Sequence, residues 1–189
     1  VVNANVLRTL ARYGKTDAPG FKGTCDHLNR MARKKQYNTC GIYYPDTYWM
    51  HFAVARAYND GASCLQESVD INLKHVLDTQ QPDGSWKNEL LKDDEVLATA
   101  LALSTLIKTG NKQSIAQQEA VQRGLDFLSS IVKKNEIGDS HWKGGVFFSA
   151  GILVRKGVLW VSDSYTTALI TQIMFEAKNW FPRELECAI

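Results

Sequence analysis

Apolar residues along this chain recur at helical spacing, and no run shows the sustained alternation of a half-buried strand. Four segments share one design, residues 3–14, 46–61, 94–110 and 163–178. Each opens on Asn or Asp (Asn3, Asp46, Asp94, Asp163), continues through an Ala-rich apolar run, and usually closes on Gly, as at Gly14, Gly61 and Gly110. An opening Asp or Asn can cap free backbone N–H groups, and a closing Gly can adopt the left-handed turn that ends a helix. Between these segments lie one-sided patterns. Residues 65–79 place Val69, Leu73, Val76 and Leu77 on one stripe, and residues 115–134 do the same with Val121, Leu125, Leu128 and Val132. Helices apolar on several sides, alternating with helices apolar on one, predict an inner layer wrapped by an outer one. The recurrence, roughly 40–50 residues, is that of a helical-hairpin array. The fold class expected is all-α, in a single domain spanning residues 1–189.

The junction Gln80-Gln81-Pro82-Asp83-Gly84-Ser85-Trp86 carries the strongest local signal. Pro82 fixes its own φ and Gly84 opens the positive-φ region, so the preceding helix must stop here. Trp86 then has a site to bury in. A Gln at the helix end can bond free backbone groups of the turn and tie neighbouring hairpins through side chains.

Composition narrows the picture without naming a partner: 44% hydrophobic content supports a sizeable core, and a net charge of +2 argues neither for nor against a polyanion. No stretch reaches the length of a membrane span, and no secretory leader is visible. Val1 and Val2 run straight into a helical pattern without Met or a cap, which reads as a piece of a longer chain. Cys25, Cys40, Cys64 and Cys187 show no Cys-x-x-Cys pair, so free thiols and a reducing, cytoplasmic setting are expected rather than a disulfide framework or structural zinc.

The segment from Gln80 to Trp86 resembles the Gln-and-Trp repeat of the squalene–hopene cyclases and related terpene cyclases. Gly144-Gly145-Val146-Phe147-Phe148, Trp160-Val161-Ser162 and Tyr165-Thr166-Thr167-Ala168-Leu169 are similar to the last hairpins of that superfamily. The likeness runs from Tyr43 to Trp180 and is weakest over residues 15–40. It implies an (α/α) toroid of the prenyltransferase and squalene-oxidase repeat type, with a cavity lined by inner-helix ends. A full toroid has six inner helices and about four are identifiable, so the resemblance implies a ring that is incomplete or is finished by an upstream segment, a further domain or a second chain.

The resemblance also implies a class II, protonating cyclisation of a linear prenyl substrate, and such chemistry needs a carboxylic acid held neutral by burial. The family's Asp-x-Asp-Asp motif is not present; if Asn3-Ala4-Asn5-Val6-Leu7 is aligned with the residues that follow or overlap that motif in the family, Val1 and Val2 fall where its later carboxylates belong. Asp93 and Asp94, beside Glu95 at the start of an Ala-rich helix, are the substitute candidates for a catalytic acid, since adjacent carboxylates repel and one can keep its proton. Helix capping is the plainer reading for Asp94, and likewise for Asp46 and Asp163. Metal-assisted ionisation needs Asp-Asp-x-x-Asp, and Leu97 holds the last position. The order of Cys40, Asp46 and His51 does not match a prenyltransferase zinc site, so neither a metal nor a cofactor is expected.

Aromatic residues carry the remaining signal. Tyr44, Tyr48, Trp49, Phe52, Phe147, Phe148, Trp160 and Tyr165 cluster near the inner-helix starts, where π faces could guide a prenyl chain or a carbocation; as core packing they need no ligand. The basic run Arg30, Arg33, Lys34 and Lys35 can meet a diphosphate or an anionic membrane surface, or be a solvated helix end. No interleaved basic and aromatic pattern points to nucleic acid. Two readings follow: an isoprenoid-binding terpene cyclase, or a non-catalytic toroid used for binding or assembly.

Overall fold

The four Ala-rich segments and the one-sided patterns between them fold as helices in the computed structural model, which describes residues 1–37, 43–91, 94–150 and 158–181. In chain order the helices are α1 Val2–Arg12, α2 Phe21–Arg33, α3 Thr47–Asn59, α4 Gln66–Thr79, α5 Glu95–Thr109, α6 Ile115–Ser130 and α7 Asp163–Ala177. A short 3-10 turn, Ser63–Leu65, leads into α4.

Two small antiparallel hairpins add to the expected helices. One pairs β1 (Lys133–Lys134) with β2 (Ser140–His141); the other pairs β3 (Val146–Ala150) with β4 (Val158–Val161), setting Phe148 opposite Trp160. The second was hidden in the sequence because Val146, Phe147 and Phe148 are apolar in succession, whereas a solvated strand would alternate.

Helices α1, α3, α5 and α7 pack side by side in that order, and α4 seats against both α3 and α5. α3 and α5 are buried on nearly every side, as their Ala-rich composition predicts. Charge pairs at one end fix the relative direction of the layer: Lys108, in the last turn of α5, meets Glu176 in the last turn of α7 at 2.6 Å, and Arg8 of α1 meets Asp60 beyond the end of α3 at 2.5 Å. The N-terminal ends of α3, α5 and α7 gather on the opposite side with β3: Asn88 bonds both Pro45 O before α3 and Asp94 at the start of α5, and the Gly144 and Val146 N–H groups donate to Asp163 and Asp94.

A repeated aromatic lock joins each outer helix to the next inner one. The Trp86 indole N–H donates to the carbonyl of Val76 in α4 at 2.7 Å, while its backbone N–H donates to Thr99 Oγ1 in α5 at 2.9 Å. Trp142 does the same between α6 and α7, to Leu128 O at 2.7 Å and Thr167 Oγ1 at 3.1 Å. Between α2 and α3 the aromatic is Tyr37, whose hydroxyl donates to Ala32 O at 3.3 Å and whose ring meets His51 edge-on at 4.6 Å. His51, Thr99 and Thr167 each stand five positions after the N-cap of their helix, at Asp46, Asp94 and Ser162. Trp86 and Trp142 are buried, and truncating such a side chain costs about 3–5 kcal/mol.

Gln80 performs the tie expected of it: its amide donates to Gly84 O at 3.1 Å and to Ala120 O of α6 at 2.8 Å, and its oxygen accepts from Arg123 at 2.5 Å.

The cysteines correct the expectation of free thiols. Cys25 of α2 and Cys64 of the 3-10 turn are disulfide-bonded, with Cα atoms 5.9 Å apart across a sequence separation of 39. Packing of α2 against that turn brings them together, which no local spacing could announce. The cysteine argument for a reducing setting loses its premise; Cys40 and Cys187 lie outside the described residues. Among the described residues no helix is long and apolar enough to cross a membrane.

Gly84 has φ +89°, and a Cβ there would stand 2.2 Å from the carbonyl oxygen of Arg123. Gly84→Val should lower unfolding stability by roughly 2–5 kcal/mol, since backbone strain and overpacking add. Gly23, inside α2 with open space around it, is the control: Gly23→Ala should stabilise by about 0.5–1 kcal/mol. Chemical denaturation of both variants checks the pair, and a harmless Gly84→Val would refute the turn assignment.

Candidate functional site

The hollow starts with a cap. Asp46 Oδ1 accepts the backbone N–H of Tyr48 at 2.9 Å, which fixes the first turn of α3 and so the face each later residue takes. Trp49, Phe52, Ala53 and Arg56 then fall at i, i+3, i+4 and i+7 on one face. That face is one wall of a hollow of about 320 Å³. Val1 and Asn5, Tyr44 just before α3, Phe147 and Phe148 of β3, and Tyr165 in the first turn of α7 complete it. Residues of α1, α3 and α7 share one hollow although α5 stands between α3 and α7 in the layer, so the layer is curved with its concave side here.

Six of the eight aromatic residues predicted to bind substrate line this hollow: Tyr44, Trp49, Phe52, Phe147, Phe148 and Tyr165. Their rings form a continuous chain. Trp49 meets Phe52 at 5.8 Å, Tyr44 at 5.6 Å and Tyr165 at 6.1 Å, and Tyr165 meets Phe147 at 5.3 Å. Trp160 does not line the hollow; it meets Phe148 edge-on at 5.4 Å from β4 and is 42% exposed. Tyr48 is on the other side of α3. One residue from Trp49 is a rotation of about 100° on a helix, and its hydroxyl shares a 2.9 Å hydrogen bond with Thr79 Oγ1 of α4.

Asp94 lies outside the lining as well. Its Oδ2 accepts the backbone N–H of Val146 at 3.1 Å and the Asn88 amide at 3.4 Å, so it anchors β3 to the start of α5. It makes no side-chain cap on its own helix, so the capping role expected of it is not the one it plays. Burial pushes its carboxyl above the ordinary carboxylate range, against the pull of the two hydrogen bonds. Gly145 makes the approach workable, since a Cβ there would stand 2.3 Å from Asp94 Oδ1 and from Leu97 Cβ. Asp163 works in parallel, accepting the Gly144 N–H at 2.6 Å, while Ser162 caps α7. Asp93 lies outside the described residues.

Sequence reasoning missed Arg56 and Asn5 as lining residues. Arg56 was legible as the i+7 partner of Trp49; Asn5 was not, because only the packing of α1 on α3 turns it inward. The basic run is elsewhere: Arg33 pairs with Glu67 at 3.3 Å near the end of α2, and no residue of the run lines the hollow.

Behind α3 sits a polar cluster with no signal in the sequence. His51, fully buried, shares a 3.0 Å hydrogen bond with His75, which faces Glu89 at 3.6 Å. Burial drives both imidazoles below their ordinary pKa; for His51 the neighbouring His75 adds to this, and for His75 Glu89 opposes it. Asp46, also buried, is pushed well above the ordinary carboxylate range by desolvation, opposed by the Tyr48 N–H and reinforced by Asp94 and Glu89. Among the described residues no group of three or more His, Cys, Asp or Glu side chains is arranged to hold a metal ion.

Compared with protein-family models, curated proteins and solved structures, the chain matches none.

Asp94→Ala should cost about 1–3 kcal/mol, because the Val146 N–H loses its acceptor, whereas Asp94→Asn keeps an acceptor and should cost less. Equal losses in denaturant titrations would remove Asp94 as the anchor. The histidines set a pH dependence. Their folded pKa values lie below the unfolded value near 6.5, so the stability they contribute is complete above 6.5 and is lost as pH falls through and below it. Asp46 and Asp94 act in the opposite sense, because the fold prefers them protonated. The histidine part is therefore read as a difference: between pH 7.5 and 5, the melting temperature of the wild type should fall more steeply than that of His51→Gln. Parallel curves would exclude the cluster as the source.

Proposed function

We propose that this chain is an isoprenoid-binding domain whose aromatic hollow holds a linear prenyl chain. The observation that carries the reading is the convergence of six aromatic side chains, from α3, α7, β3 and the segment before α3, on one hollow at the concave side of a curved helical layer. Its volume is at the lower end of the range for small-molecule sites, and its lining joins apolar rings to a few polar groups, the usual make-up of such a site. A prenyl chain suits it, since each alkene can lie against a ring face.

The curved layer, the Gln80 tie and the Trp locks also fit the similarity to squalene–hopene cyclases, and with it an (α/α) toroid that a further segment or a second chain would complete. Within that similarity the geometry favours binding over cyclisation. A proton donor must reach an alkene, yet no carboxylate is among the described residues lining the hollow, and Asp94 is engaged by Val146 and Asn88. One observation keeps the cyclase reading in view: burial biases Asp94 toward its protonated form, as a donor requires.

Farnesyl diphosphate should raise the melting temperature of the wild type, because a ligand that binds only the folded form stabilises it. Trp49→Ala and Phe147→Ala should weaken that shift more than their own loss of stability explains. Product analysis after long incubation separates the readings: unchanged lipid supports a binding domain, and a cyclised product lost in Asp94→Asn supports the enzyme. Neither stabilisation nor product with farnesyl or geranylgeranyl diphosphate would end the isoprenoid proposal.

A further inference from the structure

Among the described residues lining the hollow Arg56 is the one cationic side chain, and it has no carboxylate partner among the described residues. The nearest acid in sequence, Asp60, is taken by Arg8 and Arg12 at 2.5 and 3.8 Å. Arg56 is half-buried, and its guanidinium stands over the Phe52 ring at 4.9 Å. A ring face offsets only part of what a cation loses on leaving water, so an anion brought beside it would be strongly favoured.

The other polar groups of the lining point the same way. Asn5 offers an amide, Tyr44 and Tyr165 offer hydroxyls, and the buried indole N–H of Trp49 has no acceptor. Each can donate a hydrogen bond, and no carboxylate accompanies them among the described residues of the lining. Six rings without a cation would also suit a quaternary ammonium ligand, but Arg56 repels one and no acid compensates. Along α3, Arg56 is two turns beyond Trp49, about 10 Å at 1.5 Å per residue. The hollow thus has an apolar end toward β3 and a cationic end toward Arg56 and Asn5.

We propose that Arg56, with Asn5 beside it, receives an anionic head group, so that the ligand is an amphiphile with a prenyl chain on the aromatic rings and a phosphate or carboxylate on the guanidinium. The assignment rests on the isoprenoid reading above and adds to it the residue that selects the head. A planar guanidinium with paired donors suits either oxyanion.

Calorimetric titration of wild type, Arg56→Gln and Arg56→Lys with farnesyl diphosphate, farnesoic acid, farnesol and inorganic diphosphate tests it. Wild type should bind at least one of the two anionic lipids about tenfold to a hundredfold more tightly than farnesol, and which of the two it prefers distinguishes phosphate from carboxylate. Arg56→Gln should erase that preference while leaving farnesol affinity within about twofold, and Arg56→Lys should retain part of it. Farnesol binding as tightly as both anionic lipids, or Arg56→Gln weakening farnesol and the anionic lipids alike, would overturn the assignment while the prenyl pocket stands. Inorganic diphosphate binding as tightly as farnesyl diphosphate would overturn it too, since charge alone would then suffice. Failure of every prenyl probe to bind would take the isoprenoid reading down with it. Should Arg56→Gln fail to fold, the head-group series on wild type and Arg56→Lys decides.

Discussion

The architecture depends on one hydrogen-bonded contact made by a buried aromatic at each outer-to-inner junction. An outer helix ends with carbonyls that have no partner inside the helix. Trp86 and Trp142 take one such carbonyl each with the indole N–H, and hand their own backbone N–H to a Thr hydroxyl on the next helix. The same side chain fills the gap between the two helices, so the apolar and polar demands of the junction are met together. Because the contact recurs at the same place on successive helices, each hairpin is set against its neighbour with similar geometry, and equal steps of that kind curve a layer.

Curvature is what makes the hollow. In a flat layer α7 would stand far from α1, yet Tyr165 and Asn5 line the same space. β3 closes it on the side where the inner helices begin, held by three consecutive backbone N–H groups, of Gly144, Gly145 and Val146, bonded to Asp163, Thr166 and Asp94. Two of those acceptors are carboxylates, so the helix starts that curvature gathers also pin the strand that carries Phe147 and Phe148.

How much of this was legible follows the range of the signal. Helices written by caps and periodicity were readable, from Asp46 to the stop at Gly61, and so were the burial of Trp86 and the Gln80 tie, because Pro82, Asp83 and Gly84 mark their turn; the partners of the Trp86 lock were not. Nor were the equivalents at Trp142 and Tyr37. Trp142 is 14 residues from its carbonyl partner and 25 from its Thr, against 10 and 13 for Trp86, and Tyr37 meets a His where the others meet a Thr. The disulfide and the His51–His75 contact join positions 39 and 24 residues apart, set wholly by tertiary packing. Within the site, periodicity separates Trp49 and Phe52 from Tyr48, since neighbours on a helix diverge by about 100°; grouping them by sequence proximity conflated two faces of α3.

Asp94 and Arg56 together bear on what kind of ligand such a hollow can serve. A carbocation intermediate is stabilised by ring faces and nearby negative charge, and a cation on the wall works against it. Arg56 supplies that cation, already standing on the face of Phe52, while Asp94 is turned toward the backbone of β3. A bound anion would reverse the electrostatics: it would neutralise Arg56, free the rings to act on the chain, and offer an acceptor to a lining whose buried Trp49 indole N–H has none. The charge arrangement of the lining therefore favours holding an anionic amphiphile over generating a cation, and any cyclisation here would need the head group itself to supply the compensating charge.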